Sequence, residues 1–137
     1  MKHSKWLIQV FILSFGLLGL SCVHEDVDID LTANPWKVEK IRKSGQINFT
    51  NTDSTYILRF LNDAEYNLSL DVNTCMGQYQ IPNKGDIEIQ AMACTEICCD
   101  TEFAGDLSLL FSKMKRYYAR GDELHFEGGG KIVLQSY

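Results

Sequence analysis

Basic residues are scarce in this 137-residue chain once its N-terminal leader is set aside. Lys2 and Lys5 lie in the leader, so eleven basic residues remain against eighteen acidic ones, a net charge of −7. A domain of this charge repels the phosphates of nucleic acids. We therefore expect no nucleic-acid partner.

Motifs for catalysis and cofactor binding are also missing. No serine stands in a recognisable nucleophile elbow, and no motif pairs two carboxylates for acid–base work. Residues 128–130 are three glycines that no Lys-Ser/Thr follows, so we expect a loose hairpin loop rather than a phosphate site. His125, between Glu123 and Glu127, is predicted to be an ordinary surface residue of a strand. The sequence thus predicts a protein that is not an enzyme and has no cofactor.

The first 21 residues have the three parts of a secretory signal. Lys2, His3 and Lys5 form a basic region, and residues 6–20 form an apolar core too short for a comfortable membrane span. Ser21 then precedes Cys22, which resembles the bacterial lipoprotein signal, where a diacylglyceryl group is attached to the cysteine. We predict a signal peptide over residues 1–21 and a lipid anchor on Cys22. The expected location is the bacterial outer membrane, on the periplasmic or the outer side; the alternatives are an ordinary cleaved signal and a single-span anchor.

An acidic segment follows the leader. Residues 25–30 contain Glu25, Asp26, Asp28 and Asp30 and no base, a pattern that favours a solvated, extended linker. We therefore predict a tether over residues 22–33 and a folded domain over residues 34–137.

Short runs of β-branched and aromatic residues recur in the domain between turn signals. They predict strands at residues 36–41, 46–49, 55–60, 66–70, 77–81 and 86–90, and a final hairpin at 123–126 and 131–135. Tyr56, Leu58 and Phe60 alternate with Ile57, Arg59 and Leu61, so we expect the two sets of side chains to lie on opposite faces of the strand.

One stretch has helical spacing instead. Its apolar residues form a single stripe: Phe103, Leu107, Leu110, Phe111, Met114, Tyr117 and Tyr118. We predict one helix that Asp100 or Thr101 caps and Gly121 stops. Strands, one helix and more strands predict a mainly β fold with one α-helix, in which the helix covers a curled antiparallel sheet or incomplete β-barrel.

Four cysteines lie in the domain: Cys75, Cys94, Cys98 and Cys99. An exported domain meets an oxidising compartment, so this even number predicts two disulfides. A bond between adjacent Cys98 and Cys99 would be strained, which leaves Cys75 paired with Cys98 or Cys99 and Cys94 paired with the other. Four thiolates holding zinc are the alternative, but the usual Cys-x2-Cys spacing is missing, so we predict no metal.

Several short motifs resemble the META domain, or HslJ-like, family of bacterial lipoproteins over residues 34–137. They are Trp36-x-Val38, Tyr56-x-Leu58-x-Phe60, Asn73 with Gly77-x-Tyr79, Thr95-x3-Cys99, Tyr117-Tyr118 and Gly121-Asp122-x-Leu124. In that family a cysteine usually stands directly before the asparagine, whereas here Val72 does and Cys75 comes two residues after Asn73. The family's single later cysteine is matched by Cys99 or Cys98, and Cys94 is additional. The resemblance implies an antiparallel, barrel-like sheet with one helix, an envelope location and no established enzymatic chemistry.

Two functions remain open. The first is an anchored interaction or envelope-maintenance module that binds an unidentified envelope protein through its surface or a sheet edge. The second is a binder of a small apolar ligand or acyl chain inside the barrel. The candidate lining residues are Phe60, Tyr79, Phe103, Phe111 and Tyr118. In so small a barrel such side chains more often fill the interior, and a solidly packed interior would exclude the ligand.

Overall fold

The computed structural model describes residues 24–52, 54–62 and 64–137; the predicted signal peptide and Cys22 lie outside them. The elements in chain order are β1 (Trp36–Lys43), β2 (Thr50–Asn51), β3 (Ile57–Phe60), β4 (Glu65–Ser69), β5 (Thr74–Gln80), β6 (Glu88–Cys94), α1 (Glu102–Phe111), β7 (Arg116–Arg120), β8 (Glu123–Glu127) and β9 (Gly130–Ser136).

The strands form one antiparallel sheet in the order β6-β5-β4-β3-β1-β9-β8-β7. The short strand β2 pairs with β1 beside β3, through Lys40 with Asn51. Hairpin connections join most neighbours, and β1 pairs with β9 to bring the first and last strands together. The predicted fold class, a mainly β protein with a curled antiparallel sheet and one helix, is confirmed.

The curled sheet brings other segments of the chain onto the outer edge of β7. The Tyr117 amide donates to Gly85 O (2.8 Å), and the Ile87 amide donates to Lys115 O (2.9 Å). Further along the same edge, Asp26 and Ala119 exchange two backbone hydrogen bonds of 2.9 and 2.6 Å. The residues before β6 and the N-terminal segment thus cover the edge of β7 and nearly close the barrel.

Alternating strand residues fill the interior. Tyr56, Leu58 and Phe60 share one face, as the alternation predicted; the structure shows that this face is buried and that Arg59 is exposed. The Phe60 ring lies 4.8 Å from that of Tyr79 and 6.5 Å from that of Phe111 on the helix.

The helix begins where it was predicted to begin but ends earlier. Thr101 is the N-cap, and its Oγ1 accepts a hydrogen bond from the Ala104 amide (3.2 Å). The predicted continuation through Tyr118 is wrong, because the helix ends at Phe111 and Tyr117 and Tyr118 lie in β7. Adjacent residues of a strand face opposite ways. Tyr117 therefore packs near Phe126 in the core while Tyr118 lies on the other face of the sheet.

Three other predictions also need correction. Residues 46–49 are not a strand, and Ile47 is exposed; β2 follows at Thr50–Asn51. The glycine turn is tightly packed rather than loose, since Gly129 O accepts a 3.2 Å hydrogen bond from the Ser44 amide. The folded unit begins before residue 34, because Leu31 is buried in the core and its carbonyl accepts a 2.9 Å hydrogen bond from Trp36 Nε1.

Strand directions give the barrel two ends. At one end α1 is fixed by the Thr101 amide donating to Asp71 (3.0 Å) and by the ion pair of Lys43 with Asp106 (2.6 Å). We call this the helix end; it also carries the loop of residues 95–101. The other end, with the turn at residues 121–122 and the start of the N-terminal segment, we call the tether end.

Replacing Gly128 by alanine tests how closely the glycine turn packs on the backbone of Lys113, just after the helix. A Cβ at this position would lie 2.1 Å from Lys113 O, so we expect a loss of about 2 kcal/mol in the free energy of unfolding. Gly105→Ala is the matched control, since nothing lies within 4 Å of its added Cβ and alanine favours a helix by up to about 1 kcal/mol. Urea unfolding measures both. Equal stability of the two variants would mean that Lys113 does not pack on the turn.

Candidate functional site

The disulfide lies across the β5–β6 hairpin. Cys75 and Cys94 are register partners with a Cα–Cα distance of 3.9 Å, and their sulfurs are bonded. They occupy a non-hydrogen-bonded position of the ladder, where facing side chains are closest. The predicted pairing of Cys75 with Cys98 or Cys99 is therefore wrong. It assumed that all four cysteines are oxidised, whereas cross-strand register decides which two meet.

Cys98 and Cys99 are free thiols in the exposed loop after β6. The hydrogen bond between the two thiols raises the pKa of Cys99, and partial desolvation and the Asp100 carboxylate act in the same direction. A raised pKa leaves less thiolate, the form that attacks substrates and binds metals. Neither nucleophilic attack nor metal ligation by Cys99 is favoured.

The four-thiolate zinc alternative is not assembled, since two of its sulfurs are in the disulfide. Within residues 24–52, 54–62 and 64–137, no three His, Cys, Asp or Glu side chains converge to hold a metal ion.

Asn73 holds the loop of residues 95–101 in place. Its Nδ2 donates to Ile97 O and to Asp100 Oδ2, both at 2.6 Å, and its Oδ1 accepts from Thr95 Oγ1 and the Ile97 amide, both at 2.8 Å. The side chain is buried, so these bonds satisfy a polar group that would otherwise be costly. The loop is consequently built around one side chain from the start of β5.

Asp71 and Asp100 complete the hydrogen-bonded group around this side chain, which we call the Asn73 cluster. Asp100 Oδ1 accepts from the Val72 and Asn73 amides; burial opposes ionisation of Asp100, but these hydrogen bonds outweigh it and lower its pKa. Asp71 accepts from the Thr101 hydroxyl (2.7 Å), which lowers the pKa of Asp71. Both carboxylates therefore serve the helix cap and the loop rather than proton transfer.

The outer edge of β6 differs from that of β7. Thr95 donates to Thr74 O (3.1 Å), so by strand alternation Cys94 and Met92 direct their backbone N–H and C=O groups away from β5. Among the residues that the structure describes, no strand pairs with this edge. The edge is a row of unpaired backbone groups, the kind of surface that accepts another strand.

Exposed apolar side chains gather near the same hairpin. Met76 faces solvent on β5 opposite Ala93, and Ile97 is exposed in the loop. Val72, in the turn before β5, is exposed as well. Together with the edge of β6, these side chains form one surface towards the helix end.

His125 is not the surface residue that was predicted, because only 8% of it is exposed. Its ring stacks on Tyr118 with centroids 5.0 Å apart. The Nε2 atom lies 3.0 Å from Glu123 Oε2 but out of hydrogen-bonding alignment, so it is left without a bond. Burial lowers the pKa of His125, which outweighs the opposing attraction of Glu123. The imidazole is therefore a covered ring on the outer face of the sheet, and its burial favours the neutral form.

The five aromatic candidates do not line one cavity. Phe60 packs against Tyr79 and Phe111 in the core, whereas Phe103 stacks on Tyr56 at its margin and Tyr118 lies on the opposite face. A depression of about 380 Å³ lies between α1 and the β1–β2 hairpin. Its lining residues are Ile41, Lys43, Gln46, Thr50, Glu102, Phe103 and Asp106.

Sequence reasoning missed the Asn73 cluster and the free edge of β6. Asn73 and Thr95 were noticed as motif residues, and Asp100 or Thr101 was predicted as the helix cap, but the hydrogen bonds between the loop and the turn link residues 22 to 30 positions apart. The free edge depends on which strands end the sheet. A local pattern shows neither feature.

Comparisons with known proteins agree with this architecture. The family model of the META domain matches residues 29–136. An NMR structure of a protein from Burkholderia xenovorans superposes with a TM-score of 0.62 at 11% sequence identity, covering 78% of this chain and 83% of that chain. At this identity the similarity shows the fold alone. No curated protein matches. In the part of the chain that the structure describes, no helix has the length and apolar character needed to cross a membrane.

Replacing Asn73 by alanine tests the organisation of the loop. The change removes all four side-chain bonds, so we expect a loss of about 2 kcal/mol in the free energy of unfolding and faster amide exchange of residues 95–100. Asn83→Ala is the control, because Asn83 is exposed and its side chain makes one 3.1 Å bond, to Asp86. Denaturant unfolding and hydrogen exchange by mass spectrometry measure both effects. Unchanged exchange in the loop of Asn73→Ala would contradict this role.

Proposed function

This chain belongs to the META domain family, and we propose that it is a non-enzymatic envelope lipoprotein whose domain binds another envelope protein through the free edge of β6. A lipid on Cys22 anchors it in the bacterial outer membrane, facing the periplasm or the outside. Its partners are thus the membrane and one extended segment of a protein that is still to be identified.

The observation that carries this proposal is the contrast between the two end strands. Asp26 and residues 85–87 cover the edge of β7, whereas Met92 and Cys94 of β6 direct unpaired backbone groups outward. Natural proteins usually protect such an edge with lysine, proline or a covering segment. β6 contains neither lysine nor proline, and its one charged residue is Glu88. An added strand would satisfy these groups by main-chain hydrogen bonds.

The edge of β6 is also pre-organised for binding. The disulfide joins the end of β6 to β5, and the Asn73 cluster fixes the loop that follows. A strand that is already ordered loses less conformational entropy on binding. Exposed Met76 and Ile97 offer apolar contacts to the partner's side chains.

The remaining functions have weaker support. Aromatic rings occupy the interior that an acyl chain would need, with Phe60 and Phe126 at 6.0 Å and Phe111 and Phe126 at 6.0 Å. The buried, neutral His125 and the raised pKa of Cys99 favour a protein without catalysis. The acidic charge favours one without a nucleic-acid partner.

Photo-crosslinking in the native cells tests the edge. A benzoylphenylalanine at Ala93 lies on β6, and the control at Arg59 lies in the same cross-strand row but on β3, which is paired on both sides. We expect a discrete protein adduct from position 93 and none from position 59.

The same cells provide the mass of the peptide that begins at Cys22, which should carry the lipid. An unmodified Cys22 contradicts the lipoprotein. Equal adducts from the two positions, or no adduct from a folded and lipidated chain, contradict binding at the edge.

A further inference from the structure

We propose that the domain is held against the membrane in one orientation, with the tether end facing the lipid headgroups and the helix end facing away. This proposal rests on the lipid anchor at Cys22 proposed above. It follows from the way residues 24–31 are attached to the domain.

These residues are not the solvated linker that their composition predicted. Beyond the backbone pairing of Asp26 with Ala119, Glu25 Oε1 lies 2.7 Å from Arg120 Nη2, and Asp28 Oδ2 lies 2.8 Å from Lys84 Nζ. The acids therefore find partners on the domain, and the segment runs antiparallel to β7 along its edge.

Apolar side chains secure the same segment. Val27 packs over Gly85, where an added Cβ would lie 3.0 Å from Val27 Cγ1. Ile29 packs against the core, and Leu31 is part of it. Because burial of these side chains accompanies the ion pairs, the attachment does not depend on exposed charges alone.

The anchor is consequently close to a fixed point of the domain. Cys22 stands three residues before Glu25. A fully extended chain of this length spans at most about 11 Å, so Cys22 cannot lie further than that from Glu25, which is paired with Arg120 at the end of β7. The turn at residues 121–122 lies at the same end.

The loop of residues 95–101 lies at the opposite end. A path along the strands joins the two ends. It runs back along β7 from Arg120 to Arg116, crosses the backbone bridge to Asp86 and continues in the same direction along β6 to Cys94. At strand rise and ordinary barrel tilt this path corresponds to about 30 Å along the barrel axis. The end of β6 and its loop are thereby held well away from the headgroups.

Electrostatic attraction to lipid is not the cause of this orientation. Arg120 and Lys84, the basic residues beside the segment, are already paired with Glu25 and Asp28. The short covalent connection imposes the orientation, so it should persist on uncharged phosphatidylcholine vesicles and at high salt. A partner bound at the far end of β6 would be reached without contact with the bilayer.

Fluorescence quenching on vesicles tests the orientation. Azidophenylalanine replaces either Asp122, at the tether end, or Ile97, at the helix end, and is coupled to a fluorophore; both positions are exposed. Phosphatidylcholine vesicles with nitroxide-labelled headgroups quench nearby probes. We expect severalfold stronger quenching at position 122 than at position 97, at low and at high salt.

Two preparations separate this proposal from the anchor itself. One is the natively lipidated full chain; the other is the mature chain with Cys98→Ser and Cys99→Ser, coupled through Cys22 to a maleimide lipid. If native lipidation fails, the proposed lipoprotein is wrong, and the coupled chain still reports the orientation. A ten-residue Gly/Ser insertion after Val23 is the control, and it should equalise the two positions. Equal quenching without the insertion, or stronger quenching at position 97, would overturn the proposed orientation.

Discussion

Backbone pairing along the outer edge of β7 is the constraint on which the rest of the structure depends. A sheet that curls without closing leaves two rows of unpaired N–H and C=O groups. Here Ile87, Gly85 and Asp26 bond to one of these rows, at Lys115, Tyr117 and Ala119 respectively. The molecule is left with a covered edge on β7 and an open edge on β6, and this difference makes the sheet asymmetric.

Several properties follow from that asymmetry. The segment that leads to the anchor becomes part of the fold, because Asp26 bonds to β7 and Leu31 enters the core. The open edge is that of β6, and the disulfide and the Asn73 cluster make it rigid. Attachment and recognition are thereby assigned to separate parts of one small barrel.

Features set by local chemistry were predictable from the sequence. The alternation of Tyr56, Leu58 and Phe60 predicted that they share one face, and Thr101 was one of the two residues predicted to cap the helix. The spacing of Tyr117 and Tyr118 fits a helix, but two adjacent aromatic residues also fit a strand, and pairing with β8 decides between them. This is a limit of periodicity in short stretches.

Features set by distant pairing were not predictable. The Cys75–Cys94 bond needs the register of β5 and β6, including its shift between Gly77 and Tyr79. Burial of His125 depends on a ring from the neighbouring strand. Composition made residues 25–30 resemble a free linker, because the sequence does not show that Lys84 and Arg120 lie beside them.

Amide hydrogen exchange measured by NMR tests the closure most directly. The Tyr117 and Ala119 amides bond to Gly85 O and Asp26 O, so they should exchange slowly, whereas the outward amides of Met92 and Cys94 should exchange quickly. Rapid exchange of Tyr117 and Ala119 in the folded protein, or protection of Met92 and Cys94, would contradict a sheet covered at β7 and open at β6.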